Sequence, residues 1–283
     1  MITAVQVTEV ASEHGEGPVW WAGWPGLRWV DMLAGDLLTL GADGSVARHH
    51  LGTVLAALRP RARGGMVVAL EREFALVDED WSVRRLGEIW ADPRVRMNDG
   101  GCDPDGRFYC GSMAYASTAG RGSVYRLDPD GSSRAVLSGV TVSNGLAWSP
   151  DGSTAYYVDS GTRRVDAFDY DPERGWSGRR PAVKVDPSAG IPDGLAVDAD
   201  GYLWVALHGG GAVHRYRPGG HLDGRVELPV SQVTACTFGG PGLDQLYITT
   251  SRLDMDPAAE PGAGALFRAD VGVTGLPAAT FAG

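Results

Sequence analysis

The chain reads as an all-β protein, a six-bladed β-propeller with four antiparallel strands to a blade. Three observations carry this reading. A strand–turn–strand unit recurs in "NDGGCDPDGRFYCGSM", "NGLAWSPDGSTAYYVDSGTRRVDAFDYDPERG" and "DGLAVDADGYLWVALHGGGAVHRYRPGG". The turns inside these units start at Asp103, Ser149 and Asp198, steps of 46 and 49 residues, and 283 residues hold about six such units. Glycine is abundant, at 41 residues, and no long stretch keeps a 3.6-residue apolar period, so short strands are expected rather than helices.

The elements follow in order. The N-terminal "ITAVQVTEV" is expected to pair with the last blade and close the ring, because an open ring leaves sheet edges unpaired. Inner strands are expected to begin at Glu16, around 54–56, at Asn98, at Asn144, at Asp193 and around 233–235. Trp20, Trp148 and Trp204 fall at alternating positions within strands and read as core. No Pro- or Ser-rich linker divides the chain, so residues 1–283 read as one domain.

Composition narrows the function. Net charge is −10, which argues against nucleic acid and against anionic membrane surfaces, both of which select basic patches. Cys102, Cys110 and Cys236 form no CxxC pair and read as buried free thiols in a reducing compartment. The start, "MITAVQVTEVASEHG", lacks a basic segment followed by an apolar one, and no apolar run approaches the length of a membrane span. The expected location is cytoplasmic. Nothing marks an oligomer, so a monomer or weak homo-oligomer is expected. The six histidines form no HExxH pair, and neither a GxSxG elbow nor a GxxxxGK[ST] loop occurs.

The propeller geometry places the chemistry. The heads of the inner strands and the loops between second and third strands meet at one mouth of the channel, while the Asp-Gly turns lie at the opposite end and are structural. Four polar residues occupy equivalent heads: Glu16 in "HGEGPVWW", Asn98 in "RMNDGG", Asn144 in "SNGLAW" and Asp193 in "IPDGLAV". Singly, Asn-Gly and Asp-Gly are turn formers. Four in register, one of them a glutamate, converge on the channel axis. Oxygen-only ligands suit a hard divalent cation such as Ca²⁺, Mg²⁺ or Mn²⁺, and Zn²⁺ is less typical. The glycine after Asn144 is expected to let the backbone bend away.

The same segments resemble the regucalcin/gluconolactonase family, which includes the luciferin-regenerating enzymes. The resemblance runs through "GEGPVW" (15–20), "RMNDGGCDPDGRFYCGSM" (96–113), "SNGLAWSPDG" (143–152), "VDAFDYD" (165–171), "IPDGLAVDADGYLWVA" (191–206), "CTFGG" (236–240) and the tail "FAG". It implies one divalent metal ion (Ca, Zn, Mg, Mn or Fe) on Glu16, Asn144 and Asp193. It also implies substrate contacts from Arg96 and Asn98, and Asp193 as general base. The implied reaction is hydrolysis of a sugar lactone to the aldonic acid. In that implied reaction a bound metal would polarise the carbonyl, and either Asp193 or a metal hydroxide would activate the attack. Two departures bear on which sugar is taken. Ala116 stands where animal members carry an acidic residue, with Tyr115 before it as a candidate cover for the sugar face. The 251–262 loop, "SRLDMDPAAEPG", lacks the family's Ala-Arg. Two other readings fit the same residues: a calcium-binding regulatory protein, or an esterase or phosphotriesterase on the same propeller.

Overall fold

The structure is a computed structural model that describes residues 2–283. Six small sheets form the blades of a propeller. Their inner strands are Gly15–Val19, Leu55–Pro60, Val95–Cys102, Ser143–Trp148, Ile191–Val197 and Val233–Gly239. Each pairs antiparallel with the next strand in sequence, and the first five blades are completed by four consecutive strands. Among the described residues, helix is confined to three short 3-10 turns at Met32–Ala34, Ser160–Thr162 and Pro187–Ala189. No helix is long and apolar enough to cross a membrane.

Ring closure uses the N-terminal segment, as expected, but divides it between two blades. Val5–Gln6 pairs antiparallel with Phe267–Arg268 and becomes the outer strand of blade six. Ile2–Thr3 runs parallel to Val226–Glu227, adding a fifth strand to blade five. The core lies between neighbouring blades. Ala155, Tyr157 and Phe168 of blade four pack on Tyr109 and Val124 of blade three, and Leu203, Val205 and Leu207 of blade five pack on Val158 and Val165 of blade four. Trp148 and Trp204 are buried, while Trp20 is only partly so and stacks on Tyr247 at 6.2 Å.

The Asp-Gly turns hold the lower end together. Asp103 is fully buried and accepts from Arg107 Nε at 2.6 Å. Asp198, equally buried, accepts from Trp204 Nε1 and Arg215 Nε, both at 3.0 Å. A buried carboxylate needs such partners, so both turns are structural. The C-terminal tail crosses this end: Gly275 bridges to Asp198, Phe281 N donates to Pro60 O, and Ala282 N donates to Gly106 O. A cavity of about 810 Å³ lies here, lined by Arg59, Cys102, Trp148, Leu195 and Phe238 and by the tail at Leu276–Thr280 and Ala282.

Candidate active site

The polar cluster sits at the other end of the channel from that cavity. Every inner strand carries one extra residue near its head. The register slips between Glu16 and Val19, Leu55 and Ala57, Met97 and Gly100, Ser143 and Leu146, Pro192 and Leu195, and Val233 and Ala235. A bulge breaks the ladder and re-aims side chains. In four blades the slipped stretch contains or begins at a polar residue, Glu16, Asn98, Asn144 or Asp193. All four are buried, between 3 and 6% exposed. In blades two and six the slip falls on apolar or neutral residues.

The glycine after Asn144 acts differently from the expectation, and the one after Asp193 resembles it. Neither has a positive φ, so neither lets the chain bend away. They permit close approach of the next inner strand. A Cβ on Gly145 would lie 2.5 Å from Leu195 N, and one on Gly194 would lie 2.5 Å from the Ala235 Cβ. At these two positions the approach of the neighbouring inner strand leaves no room for a side chain. Gly194→Ala is expected to destabilise the fold by about 1–3 kcal/mol, read as a lower melting temperature. An unchanged melting temperature would show that blades five and six can part without penalty.

A chain of hydrogen bonds links three of the predicted residues. Arg96 Nη1 donates to Asn98 Oδ1 at 2.6 Å. Asn98 Nδ2 donates to Asn144 Oδ1 at 2.8 Å and to Ser143 O at 2.7 Å. Asn144 Nδ2 donates to Ser160 Oγ at 2.8 Å, and Ser160 gives its only proton to Pro192 O at 2.6 Å. Since Ser160 must accept, Asn144 must present its nitrogen to Ser160 and its oxygen to the cluster. Asn98 has both amide protons engaged, so it orders Asn144 and Arg96, and a direct bond to substrate would need one of these contacts released. Arg96 itself is buried, and its Nε has no partner.

The carboxylates are under electrostatic strain. Burial pushes the Glu16 carboxyl up to about 8, and Asp99 adds to the rise; the Gly17 N–H and Arg96 oppose it. Burial also raises Asp193 well above the usual range, with Glu16 and then Asp99 adding repulsion. Asp193 Oδ1 is buried without any hydrogen-bond partner. Asp99 is not among the residues expected from the sequence. It lies beside Asn98 inside the same bulge, is raised by burial, and is held down by Arg59 and the Gly100 N–H. Arg59 thus stands below the acidic centre, toward the lower cavity.

The mouth above is lined by donors and aromatic surface. Tyr115 is 47% exposed, and the Arg96 guanidinium lies 5.6 Å from its ring centre. His14 bonds Ser251 through Nδ1 at 2.8 Å. Burial, then Arg96, then His208 push it down to about 3, so it stays a neutral imidazole. Neither His14 nor Ser251, which ties the 251–262 loop to blade one, stands out in the sequence.

The residues present suit a hard cation. Glu16 and Asp193 are close enough to repel one another, one carboxylate oxygen is orphaned, and the repulsion calls for positive charge, while Asn144 supplies an amide oxygen at the equivalent strand head. Sulfur is absent from the donor set, since burial raises the Cys110 thiol and keeps it protonated. Among the described residues no group of three or more His, Cys, Asp or Glu side chains is drawn together as a metal cluster.

Fold and site together define a propeller protein with an acidic, oxygen-lined centre below a donor-rich channel mouth. The sequence profile of the SMP-30/Gluconolactonase/LRE-like region matches residues 14–252, and the chain belongs to that family. It is 37% identical to regucalcin of Danio rerio over 294 residues, covering 98% of this chain and 97% of that one. It is 36% identical to the pentonolactonase XacC of Haloferax volcanii, again covering 98% and 97%. Among solved structures, a luciferin-regenerating enzyme superposes with a TM-score of 0.92 at 30% identity over the full length of both chains. A gluconolactonase from Xanthomonas campestris superposes with a TM-score of 0.78 at 25% identity, covering 95% of this chain and 89% of that one.

Proposed function

We propose that the chain, acting as one propeller domain over residues 1–283, is a metal-dependent lactone hydrolase that opens a sugar lactone to the aldonic acid. The observation that carries this is Asp193: a buried carboxylate with one unpartnered oxygen beside Glu16. The pentonolactonase and gluconolactonase relatives support the same reaction class.

A divalent cation held by Glu16, Asn144 and Asp193 would supply Lewis acidity toward the lactone carbonyl. Asp193 Oδ1, buried and without a donor, accepts the proton of the attacking water. The register slip between Pro192 and Leu195 and the burial of Asp193 support a fixed position for that oxygen, which lowers the cost of orienting the base. Arg96 is pre-oriented by Asn98 and offers its Nε–H to substrate oxygens above the centre. Tyr115 and the neutral His14 form the wall, which suits a ligand rich in hydroxyl groups. These donors over the mouth favour a small-molecule substrate over a purely calcium-buffering role.

Chelated protein is expected to be inactive and to regain hydrolysis of neutral aldono-1,4- or 1,5-lactones on addition of one of Ca²⁺, Mg²⁺, Mn²⁺, Zn²⁺ or Fe²⁺. Release of acid from D-glucono-, D-galactono- and L-arabinonolactone, followed at constant pH, measures it. Failure of every metal to restore turnover on every lactone would sink the hydrolase reading.

A further inference from the structure

Glu71 follows the second strand of blade two, Met66–Leu70, and reaches the mouth from a blade whose inner strand carries no polar head. Its carbonyl accepts from Met97 N at 2.7 Å, which fixes it beside the inner strand of blade three. Its carboxylate accepts a hydrogen bond from Tyr115, whose hydroxyl lies 2.6 Å from Oε1. A second hydroxyl, Thr53 Oγ1, stands 3.4 Å from Oε2. The neighbouring cations are committed elsewhere: Arg72 pairs with Glu88 at 2.7 Å, and Arg85 pairs with Glu73. Among the described residues, Glu71 forms no ion pair.

Glu71 is therefore a carboxyl group at the channel mouth whose side chain is partnered only by hydroxyl groups. An ionised carboxylate accepts about four hydrogen bonds, so acceptor positions remain open. Glu71 also lines a cavity of about 330 Å³ together with Thr53, His50 and both ion pairs, Arg72–Glu88 and Arg85–Glu73. Tyr115 joins this carboxyl group to the centre, with its hydroxyl on Glu71 and its ring beside Arg96.

We propose that Glu71 determines specificity at this mouth. It accepts hydroxyl groups from the part of the substrate distant from the lactone carbonyl, and it repels substrates that carry a carboxylate there. The substrate class is then the neutral polyhydroxy lactones, with lactones of sugar diacids excluded. This rests on the lactone hydrolase reading. Glu71 touches the substrate's far end rather than the reacting atoms, so its effect falls on KM and leaves kcat little changed.

The test compares a neutral aldonolactone with the corresponding lactone whose terminal CH₂OH is oxidised to a carboxylate, in metal-loaded wild type and Glu71→Gln. Wild type is expected to prefer the neutral lactone by about tenfold or more in kcat/KM, as expected for a charge-assisted hydrogen bond set against like-charge repulsion. Glu71→Gln is expected to collapse that preference, raising KM for the neutral lactone and lowering it for the charged one. Tyr115→Phe, which frees the carboxylate from its clamp, is expected to weaken the preference partially. A preference unchanged in Glu71→Gln while hydrolysis proceeds overturns the proposal and leaves the hydrolase reading standing. Calorimetric binding of 1,5-anhydro-D-glucitol and of its uronate separates the two ideas. A binding preference that Glu71→Gln abolishes, with no lactone turned over, upholds Glu71 and removes the hydrolase reading. No preference in either assay removes Glu71.

Discussion

Asp193→Asn is expected to remove hydrolysis and, in the metal-free protein, to raise the melting temperature. The side chain keeps its shape and loses its charge. As general base it is worth on the order of 10²–10⁴ in rate, and as a metal ligand more, so kcat/KM should fall by about 10³-fold or further. Stability should move the other way. In wild type the carboxyl is buried, repelled by Glu16 and Asp99, and has one oxygen without a donor. An amide carries none of the repulsion. A gain of about 1–3 kcal/mol is expected, a few degrees for a chain of this size. Kinetics with metal content measured in parallel, together with calorimetry of the chelated form, provide the check. Activity within tenfold of wild type at full metal occupancy would remove Asp193 as base. A lower melting temperature would show that the carboxylate is relaxed in its site.

The second large effect concerns pH. Burial and then Asp99 carry the Glu16 carboxyl from its ordinary 4.5 to about 8 in the folded, metal-free protein. Between those values the folded state holds a proton that the unfolded chain has released. Stability of the chelated protein must therefore fall as pH rises through that window. The penalty is absent below about pH 4.5 and complete above about pH 8. Holding the extra proton makes folding less favourable as pH climbs, and Glu16 contributes to that fall across the window. Asp193 acts in the same direction. Metal binding must displace these protons, so affinity should climb with pH over the same range and metal-loaded protein should stay flat. Melting curves from pH 5 to 8.5 with and without chelator are expected to diverge as pH rises. Parallel curves would mean that Glu16 does not sit in the environment described.

The propeller was legible because its repeat is written in turn chemistry. Asp103, Ser149 and Asp198 begin turns that any strand pair of that length requires, and the spacing between them measures a blade. Glu16, Asn98, Asn144 and Asp193 were legible because they recur at one place in that repeat. Asp99 was hidden for a physical reason. In a regular strand consecutive side chains point to opposite faces, so Asn98 facing the axis puts Asp99 away from it. The bulge between Met97 and Gly100 suspends that rule, and no local residue preference announces a bulge. Glu71 was hidden because the head of its blade, Leu55–Ala57, is apolar and gives no reason to inspect the loop above it. The role of Gly145 was misjudged because its constraint is Leu195, a residue from another blade, and contacts between blades leave no local trace.

The division of the N-terminal segment across two blades has a kinetic consequence. Gln6 and Phe267 are nearly the whole chain apart, yet their pairing completes the last sheet. During synthesis Val5–Gln6 must wait without its partner while five blades form, and the seam latches only when the final hairpin emerges. Closure is thus the most non-local event in folding and is expected to be the slow one. A circular permutant that places residues 2–6 directly after the tail would make that pairing far more local, and its refolding should be the faster.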